Sequence, residues 1–491
     1  MSKALSFAIG AVAVVAAAST GVAWYTGTQI EPVLRQQVVE ANQQLKTSLT
    51  GYPATAELEL TSFERRLFSS TAHYVTTLQS PELNGGQAVQ VEALANIEHG
   101  PFPWSRLKQL KLLPVIAASD IAVASSPQLV QWLGMPAGQS PMEIRSSASY
   151  GGGLDSQLRV LPGLWHGEQG ALQFSGLEGT IKGTQDGKRM ELDAQVGSIE
   201  YTAIDTPAPL TMQVQGLSIH TGGVKGTSGF YLGNNQLQAE SWRFAGSGRQ
   251  TFELHKPAML GNLEELEGKL KGSVDYRFEQ ASIGDKAIGS AQMRWYFDSL
   301  DIAATRDLMT FYQKVMAPQA QAAAQAQAPL EPQLTPDQQA EVQVLLGRLL
   351  DGHPHIELQP LGFKTTNGES HLSVALDLAK PADTAMAPAQ LASQILTRLD
   401  AKLVLAKGTI RDLATLKAQL EGQTDVAALA QNANGAADMV ATLATLQGLA
   451  KLEGEDISTS LRYEGGMVDF NGQKMTVEQF AAFVMSALGQ G

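Results

Sequence analysis

From Ala54 to about Ala304, apolar side chains return at every second position. Met190-Glu191-Leu192-Asp193-Ala194-Gln195-Val196 and Leu210-Thr211-Met212-Gln213-Val214 are clear cases, and Leu58-Glu59-Leu60 is a shorter one. Further runs lie at 144–150, 171–181, 251–254, 273–278 and 292–297. A period of two sorts side chains onto the two faces of a strand. Asn84-Gly85-Gly86, Gly151-Gly152-Gly153, Gln185-Asp186-Gly187, Thr221-Gly222-Gly223 and Gly233-Asn234-Asn235 punctuate the runs, as turns between antiparallel strands do. About a dozen strands are expected, and a sheet of that size curls, splits or closes. One face is apolar, so it packs or binds while the other meets water. Periodicity alone leaves open whether a helix or a ligand covers it.

A different pattern precedes the strands. Ala4 to Tyr25 is a run of 22 residues without a charge. At about 1.5 Å per helical residue it reaches across a hydrocarbon layer of about 30 Å. Lys3 lies before it, the next charge is Glu31, and Trp24-Tyr25 close it. The positive-inside rule then puts the N-terminus in the cytoplasm and the bulk of the chain across the membrane. The rival reading is a signal peptide cleaved near Ala16-Ala17-Ala18. The run is long for such a peptide and passes straight into a helical pattern, and both readings export the remainder. Ile30, Val33, Leu34, Val38, Ala41, Leu45 and Leu49 recur at helical spacing before Gly51-Tyr52-Pro53 ends the helix. This stalk packs on the exported domain or forms a self-association seam.

The expected fold is α+β: a large antiparallel, strand-rich curled sheet with flanking helices, plus an N-terminal transmembrane helix. Its parts are a signal-anchor at 1–27, the stalk helix at 28–53, a strand-rich region at 54–304, a helical hairpin with an Ala/Gln/Pro linker at 305–352, and a strand and helix region at 353–491 completing the same module. Within the strand-rich region, Trp104, Leu107, Leu110, Leu112 and Leu113 alternate with Arg106, Lys108 and Lys111 between Pro103 and Pro114. This predicts a basic amphipathic helix, covering the sheet or lying on an anionic membrane surface. Ala317 to Gln333 is almost wholly Ala, Gln and Pro, which predicts a linker or frayed helix. Thr335-Pro336-Asp337-Gln338 and Thr476 with Gln479 are capping boxes, and Met475 with Phe480 is spaced as a hydrophobic staple. Later strands are expected at 356–361, 371–378, 401–406, 457–463 and 467–470, and helices at 388–398, 410–420 and 424–452.

Composition removes whole classes of chemistry. The 491 residues include no cysteine, so disulfides, thiolate nucleophiles and Cys-ligated metals are excluded. With Lys plus Arg 35 and Asp plus Glu 48, the formal charge is −13, unsuited to a general nucleic-acid binder. The strongest metal-like pattern is Asp351-Gly352-His353-Pro354-His355, whose alternate residues would share a face in an extended strand. Gly352 and Pro354 make it a turn of solvated imidazoles instead. His99, before Gly100-Pro101, sits at a fixed bend and is expected to lock it by bonding a backbone group, because Glu98 points to the opposite face and is no orienting acid. Glu64-Arg65-Arg66 reads as a charged hairpin tip in preference to an anion site. Gly183 to Arg189 lacks the spacing of a phosphate loop, and no G-x-S-x-G or H-E-x-x-H occurs. Trp132, Trp165, Trp242 and Trp295 lie in or beside apolar runs and read as core. No catalytic residue, cofactor or metal site is expected.

Four local patterns carry a resemblance. They are Ala23-Trp24-Tyr25-Thr26-Gly27 after the uncharged run; Phe63-Glu64-Arg65-Arg66-Leu67-Phe68-Ser69-Ser70; His99-Gly100-Pro101-Phe102-Pro103 with Leu107-Lys108 and Leu113-Pro114; and Asn471-Gly472-Gln473-Lys474-Met475 after Leu461 and Tyr463. In this order they resemble the YdgA-like proteins of Gram-negative bacteria, a family with a domain of unknown function. Arg66 stands where the family pattern has a glycine. The resemblance implies an inner-membrane protein of the cell envelope with its bulk in the periplasm, able to self-associate as a homodimer, and brings no reaction or cofactor. Three roles are in view: a non-enzymatic envelope scaffold or maintenance protein, a carrier or chaperone for lipid or other apolar cargo in a curled-sheet groove, and a hydrolase, for which the residues offer no coherent constellation.

Overall fold

The computed structural model describes residues 30–49, 54–80, 86–167, 170–203, 209–246, 248, 250–325, 329, 331–382 and 388–487. Among them no helix is long and apolar enough to cross a membrane; the expected span at 4–25 lies outside them. The chain divides into two compact units, Met1–Gly233 with Thr310–Leu334, and Asn234–Met309 with Thr335–Gly491.

Unit 1 opens with helix α1 (Ile30–Ser48) and strands β1 (Thr55–Arg65), β2 (Ser69–Gln79) and β3 (Val89–His99). The single turn α2 (Trp104–Leu107), β4 (Ala117–Val123), α3 (Pro127–Leu133), β5 (Met142–Ala148) and β6 (Gly153–Val160) follow. Then come β7 (Gly163–Gly167), β8 (Gly170–Phe174), β9 (Leu177–Thr184), β10 (Arg189–Ala203), β11 (Leu210–Lys225) and the start of β12 (Tyr231–Gln238). Antiparallel pairing runs β1–β2–β3–β4–β5–β6–β9–β10–β11. The far half of β10 pairs with β8, which pairs with β7.

The stripe read from the stalk is the face that α1 buries. Leu34, Ala41 and Leu45 join a core with Leu58, Leu60, Ala72, Ile97, Ile121 and Ile144, and Leu129 of α3 packs into the same core. The apolar face of this sheet is therefore roofed by helices. Asn42 secures the roof: its amide donates to the Leu58 carbonyl and accepts the Leu58 N–H, both at 2.8 Å. That satisfies the backbone of β1, an edge strand, as a neighbouring strand would.

Unit 2 contains β13 (Ser241–Gly246), β14 (Phe252–His255), β15 (Ala258–Leu266), β16 (Lys269–Ile283) and β17 (Lys286–Asp301). Helix α4 (Ile302–Phe311) carries the chain on to the Thr310–Leu334 stretch that belongs to unit 1, where a π-turn at Tyr312–Met316 and α5 (Ala317–Gln325) follow, so the Ala/Gln segment is helical through Gln325. Alanine and glutamine both favour helix, which explains the extension. After α6 (Pro336–Asp351) come β18 (His355–Lys364), β19 (Glu369–Leu378), α7 (Pro388–Ile395), β20 (Leu396–Ala406), α8 (Lys407–Leu420) and α9 (Val426–Leu446). The unit closes with β21 (Lys451–Glu453), β22 (Asp456–Glu464), β23 (Met467–Phe470), β24 (Gln473–Thr476) and α10 (Val477–Ala487). Its antiparallel order is β15–β16–β17–β18–β19–β20–β22–β23–β24.

Local chemistry sets the ends of these elements. Thr335 accepts the Gln338 N–H while the Gln338 side chain accepts the Thr335 N–H, with Pro336 at the first helical position. Thr476 and Gln479 repeat the box, and Met475 and Phe480 both pack on the cluster of Tyr463, Val468 and Phe470. Gly465 and Gly466 take φ of 59° and 79°, which the two-residue turn between β22 and β23 requires. Register shifts interrupt β16, β17, β18 and β19; each adds local twist and bends its strand.

One expectation is corrected here. The helix expected from Trp104 to Leu113 is a single turn ending at Leu107. Leu110 adopts a left-handed φ of 58°, which breaks the helix, and Leu110, Leu112 and Leu113 project outward without covering the sheet.

Candidate functional site

The residues singled out for chemistry are dispersed. Asp351 bonds Lys380 at 2.8 Å. His353, with φ of 54°, makes the turn out of α6, while the His355 ring bonds Asp377, its cross-strand neighbour, at 2.6 Å. The three therefore share no ligand position. Arg66 to Phe68 form the β1–β2 hairpin tip, closed by the Arg66 N–H donating to the Ser69 carbonyl, and Glu64 and Arg66 are solvated. The Gly183–Arg189 segment is a hairpin turn. There Asp186 accepts the Thr184 hydroxyl and the Lys188 N–H, which hold its carboxyl down at about 2.

His99 locks its bend through backbone groups, as expected, and through a side chain besides. Its backbone N–H donates to the Phe68 carbonyl, whereas the ring Nε2 bonds the Ser70 hydroxyl at 2.9 Å. Glu98 accepts from the Ser105 N–H and hydroxyl. The Ser70–His99 spacing suits a nucleophile and base, yet Ser70 is 1% exposed and His99 Nδ1 is buried without a partner. The pair has neither an approach for substrate nor an orienting acid. Burial lowers the His99 pKa and the Arg65 charge lowers it further, with the Ser69 backbone acting oppositely. The unfolded chain thus binds this proton more readily. The stability contributed by the neutral ring is present above about pH 6.5 and is lost as pH falls through the lower folded value. Thermal unfolding followed from about pH 7.5 to about pH 5 is expected to show a decline that His99→Gln flattens.

A shallow trough of about 540 Å³ lies on the polar face of unit 1, lined by Glu143, Arg145, Arg159, Glu178 and Asp193 among others. Its charges are of both signs, and Arg145 lies between Glu143 at 3.2 Å and Asp120 at 3.7 Å. Beside it, Glu191, Asp193 and His220 bring ligand atoms within 4.8 Å of one another. The two carboxylates are two residues apart on β10, and His220 is the register partner of Asp193 on β11, bonded to it at 2.6 Å. All three are solvent-accessible, so the cluster is a cross-strand hydrogen bond with an acidic neighbour. The alternation at 190–196 marked its face; only register could bring His220 to it.

Unit 2 supplies a different surface. Val274, Trp295, Leu358, Val374, Ala401 and Leu461 are successive register partners across six strands. Gly272, Phe297, Ile356, Leu376, Leu399 and Tyr463 form the parallel row two residues away. Directly opposed residues share a face, so this face is apolar over its whole width. The opposite face carries Glu357, Asp400 and Arg462 in one row. Phe480 and Phe483 of α10 cover the apolar face near β22 and β23, and α8 contacts β17, β19 and β20, with Ile410 and Leu405 both packed on the cluster of Ala441, Ala450 and Ile457. Between these covers Trp295 is 41% exposed, and Tyr276 and Leu361 are comparably open. Trp295, expected in the core, is a surface residue of this face. Trp165 packs beside the cluster of Leu172, Val196 and Ile199 as expected.

Comparison with known proteins agrees with the four motifs. Protein YdgA of Escherichia coli (strain K12) is 29% identical over 503 aligned residues, covering 99% of this chain and 98% of that protein. Uncharacterized protein YihF of the same strain is 25% identical over 486 residues, covering 96% and 97%. No solved structure matches. The family described as "Bacterial protein of unknown function (DUF945)" matches residues 1–478. The chain is thus similar to YdgA over almost its whole length, and it belongs to the DUF945 family.

Proposed function

We propose that the chain is a membrane-anchored, non-enzymatic protein of the Gram-negative envelope that works through apolar contact at the half-open face of unit 2. The observation that supports this is the pair of apolar rows crossing β16, β17, β18, β19, β20 and β22, sheltered at both margins and open around Trp295. Bulges bend the strands carrying these rows. An apolar surface of that extent favours an acyl chain or similar cargo over water. The full chain, extracted from its native membranes, should carry phospholipid by native mass spectrometry. Trp295→Lys should lower the occupancy at least about fivefold by placing a charge on the apolar rows. Lipid absent from the wild-type protein, or equally abundant on the variant, contradicts the cargo reading.

A second reading is the self-associating scaffold, favoured by α9. Its buried residues Leu429, Ala433, Ala437 and Ala441 face inward, while Met439, Leu443 and Leu446 form an exposed stripe at helical spacing. The chain has no cysteine, so Met439→Cys introduces a single crosslinking site. Covalent dimers in the membrane would support this reading, and exclusively monomeric protein would remove it.

A further inference from the structure

The exposed end of unit 1 combines large apolar side chains with positive charge. At the β1–β2 tip Leu67 is 85% and Phe68 73% exposed. The segment after β3 adds Trp104, Leu110 at 83% and Leu113 at 78%. Backbone bonds assemble these pieces: His99 N–H to the Phe68 carbonyl, Gly100 N–H to Ile116, and Val115 N–H to Pro101. The same segments, 65–69 and 99–116, carry Arg65, Arg66, Arg106, Lys108 and Lys111, against two flanking carboxylates, Glu64 at 4.0 Å from Arg66 and Glu98 bonded to Ser105, in a chain with a net charge of −13. The Lys108 ammonium sits 5.7 Å from the centre of the Trp104 ring.

The path of α1 indicates what this end faces. Asn42, bonded to Leu58, lies six residues before the end of α1, about 9 Å. Leu58 lies three residues after the start of β1, about 10 Å. Helix and strand are consecutive, so their joined ends lie together and the two run in opposite directions. Arg65, at the far end of β1, is therefore level with the start of α1. Four residues separate Ile30 from the uncharged stretch 4–25, so Ile30 lies within about 18 Å of its end.

We infer that this end of unit 1 is a docking surface for the anionic headgroup layer of the membrane that holds residues 4–25. The inference rests on the anchor reading for its geometry and on the patch for its chemistry. Leu67, Phe68, Leu110, Leu112 and Leu113 enter the interface, Trp104 sits at headgroup level, and the four exposed cations Arg65, Arg66, Lys108 and Lys111 meet lipid phosphates, while Arg106 is turned inward to the Ser147 hydroxyl. Each cation near such a surface contributes about fivefold in affinity, and the contribution is screened by salt. Docking would orient unit 1 against the bilayer instead of leaving it to swing on its tether.

The absence of cysteine makes the test direct. The full chain carrying Leu112→Cys, labelled with an environment-sensitive fluorophore, is reconstituted into vesicles of phosphatidylethanolamine with phosphatidylglycerol, or of phosphatidylcholine alone, containing brominated lipid as quencher. Ala13→Cys reports on the uncharged stretch, and Val344→Cys, an exposed position of unit 2, gives the undocked signal. The Leu112 probe is expected to be quenched in the anionic vesicles and about tenfold less so in Arg66→Glu/Lys108→Glu/Lys111→Glu. Quenching should also weaken at about 1 M salt, where the Debye length is about 3 Å. A Leu112 signal equal to that of Val344, or quenching unchanged by lipid charge and by the triple variant, overturns docking. Shielding of Leu112 in detergent without lipid also overturns it, in favour of a protein partner. Quenching at Ala13 alone leaves the anchor and removes the docking surface. Charge-dependent quenching at Leu112 without quenching at Ala13 supports the docking surface and removes the anchor.

Discussion

Leu34→Ala is expected to lower the stability of unit 1 by about 3 kcal/mol, the usual cost of emptying a leucine site in a packed core. Leu34 is 1% exposed, in a core that includes Leu58, Leu60, Ala72 and Ile97. The strands of its sheet neighbours are held by the β1–β2 and β2–β3 antiparallel ladders, and β1 also by the Asn42 clamp, so they cannot move in to fill the space, and the cavity persists. The helix has little else to hold it: its Glu31–Arg35 pair is solvent-exposed and contributes at most about 0.5 kcal/mol. The Asn42–Leu58 clamp strains next, because a helix that shifts by even half a turn leaves the Leu58 N–H and carbonyl unpaired. Thermal unfolding of the full chain should show a midpoint lower by about 6–12 °C, with Val39→Ala, on the exposed face of α1, within about 0.5 kcal/mol of wild type. A Leu34→Ala midpoint indistinguishable from that control would mean that α1 does not roof the sheet.

Gly408→Ala and Gly435→Ala are expected to have opposite signs. Gly408 lies in the first turn of α8, and a Cβ there would overlap the Asn367 carbonyl in the β18–β19 turn. That turn cannot yield, because Asp412 of α8 accepts the Asn367 N–H at 2.8 Å and side-chain amide at 2.7 Å. On the neighbouring strands the Ala406 N–H donates to the Ser370 hydroxyl. Relief requires lifting α8 from the sheet, at a cost of about 3 kcal/mol or more. Gly435 is in the interior of α9 with nothing within 4 Å of its Cβ position. There alanine only restores helix propensity and should stabilise by about 0.5–1 kcal/mol. Calorimetry of the two variants against wild type decides the matter. A Gly408→Ala protein as stable as Gly435→Ala would contradict the close docking of α8.

Much of this architecture is legible in the sequence because it is local. The alternation at 190–196 and 210–214 names the faces of β10 and β11, since consecutive residues of any strand point oppositely. Thr335 with Gln338 and Thr476 with Gln479 fix two helix starts through bonds that span three residues. The stripe from Leu34 to Leu45 marks the face α1 buries. The candidate site was far less legible. Trp295 occupies an apolar run and reads as core, yet it is exposed, because no described helix of unit 2 covers that part of the face. The leucines at 107–113 have helical spacing, but Leu110 turns left-handed and Leu110, Leu112 and Leu113 stay in solvent.

The sequence by itself determined the alternating strands, the capped helix starts, the membership of the DUF945 family and the exclusion of thiol chemistry. Each depends on residues close in the chain, on motifs in order, or on composition. The tertiary structure alone decided which apolar faces are closed and which stay open. It roofed the sheet of unit 1 with α1 and left the rows around Trp295 bare. It gathered Leu67, Phe68 and Leu110–Leu113 at one end with four exposed cations. The physical reason is that periodicity specifies a face through the backbone's own repeat, whereas coverage depends on where an element tens of residues away comes to rest.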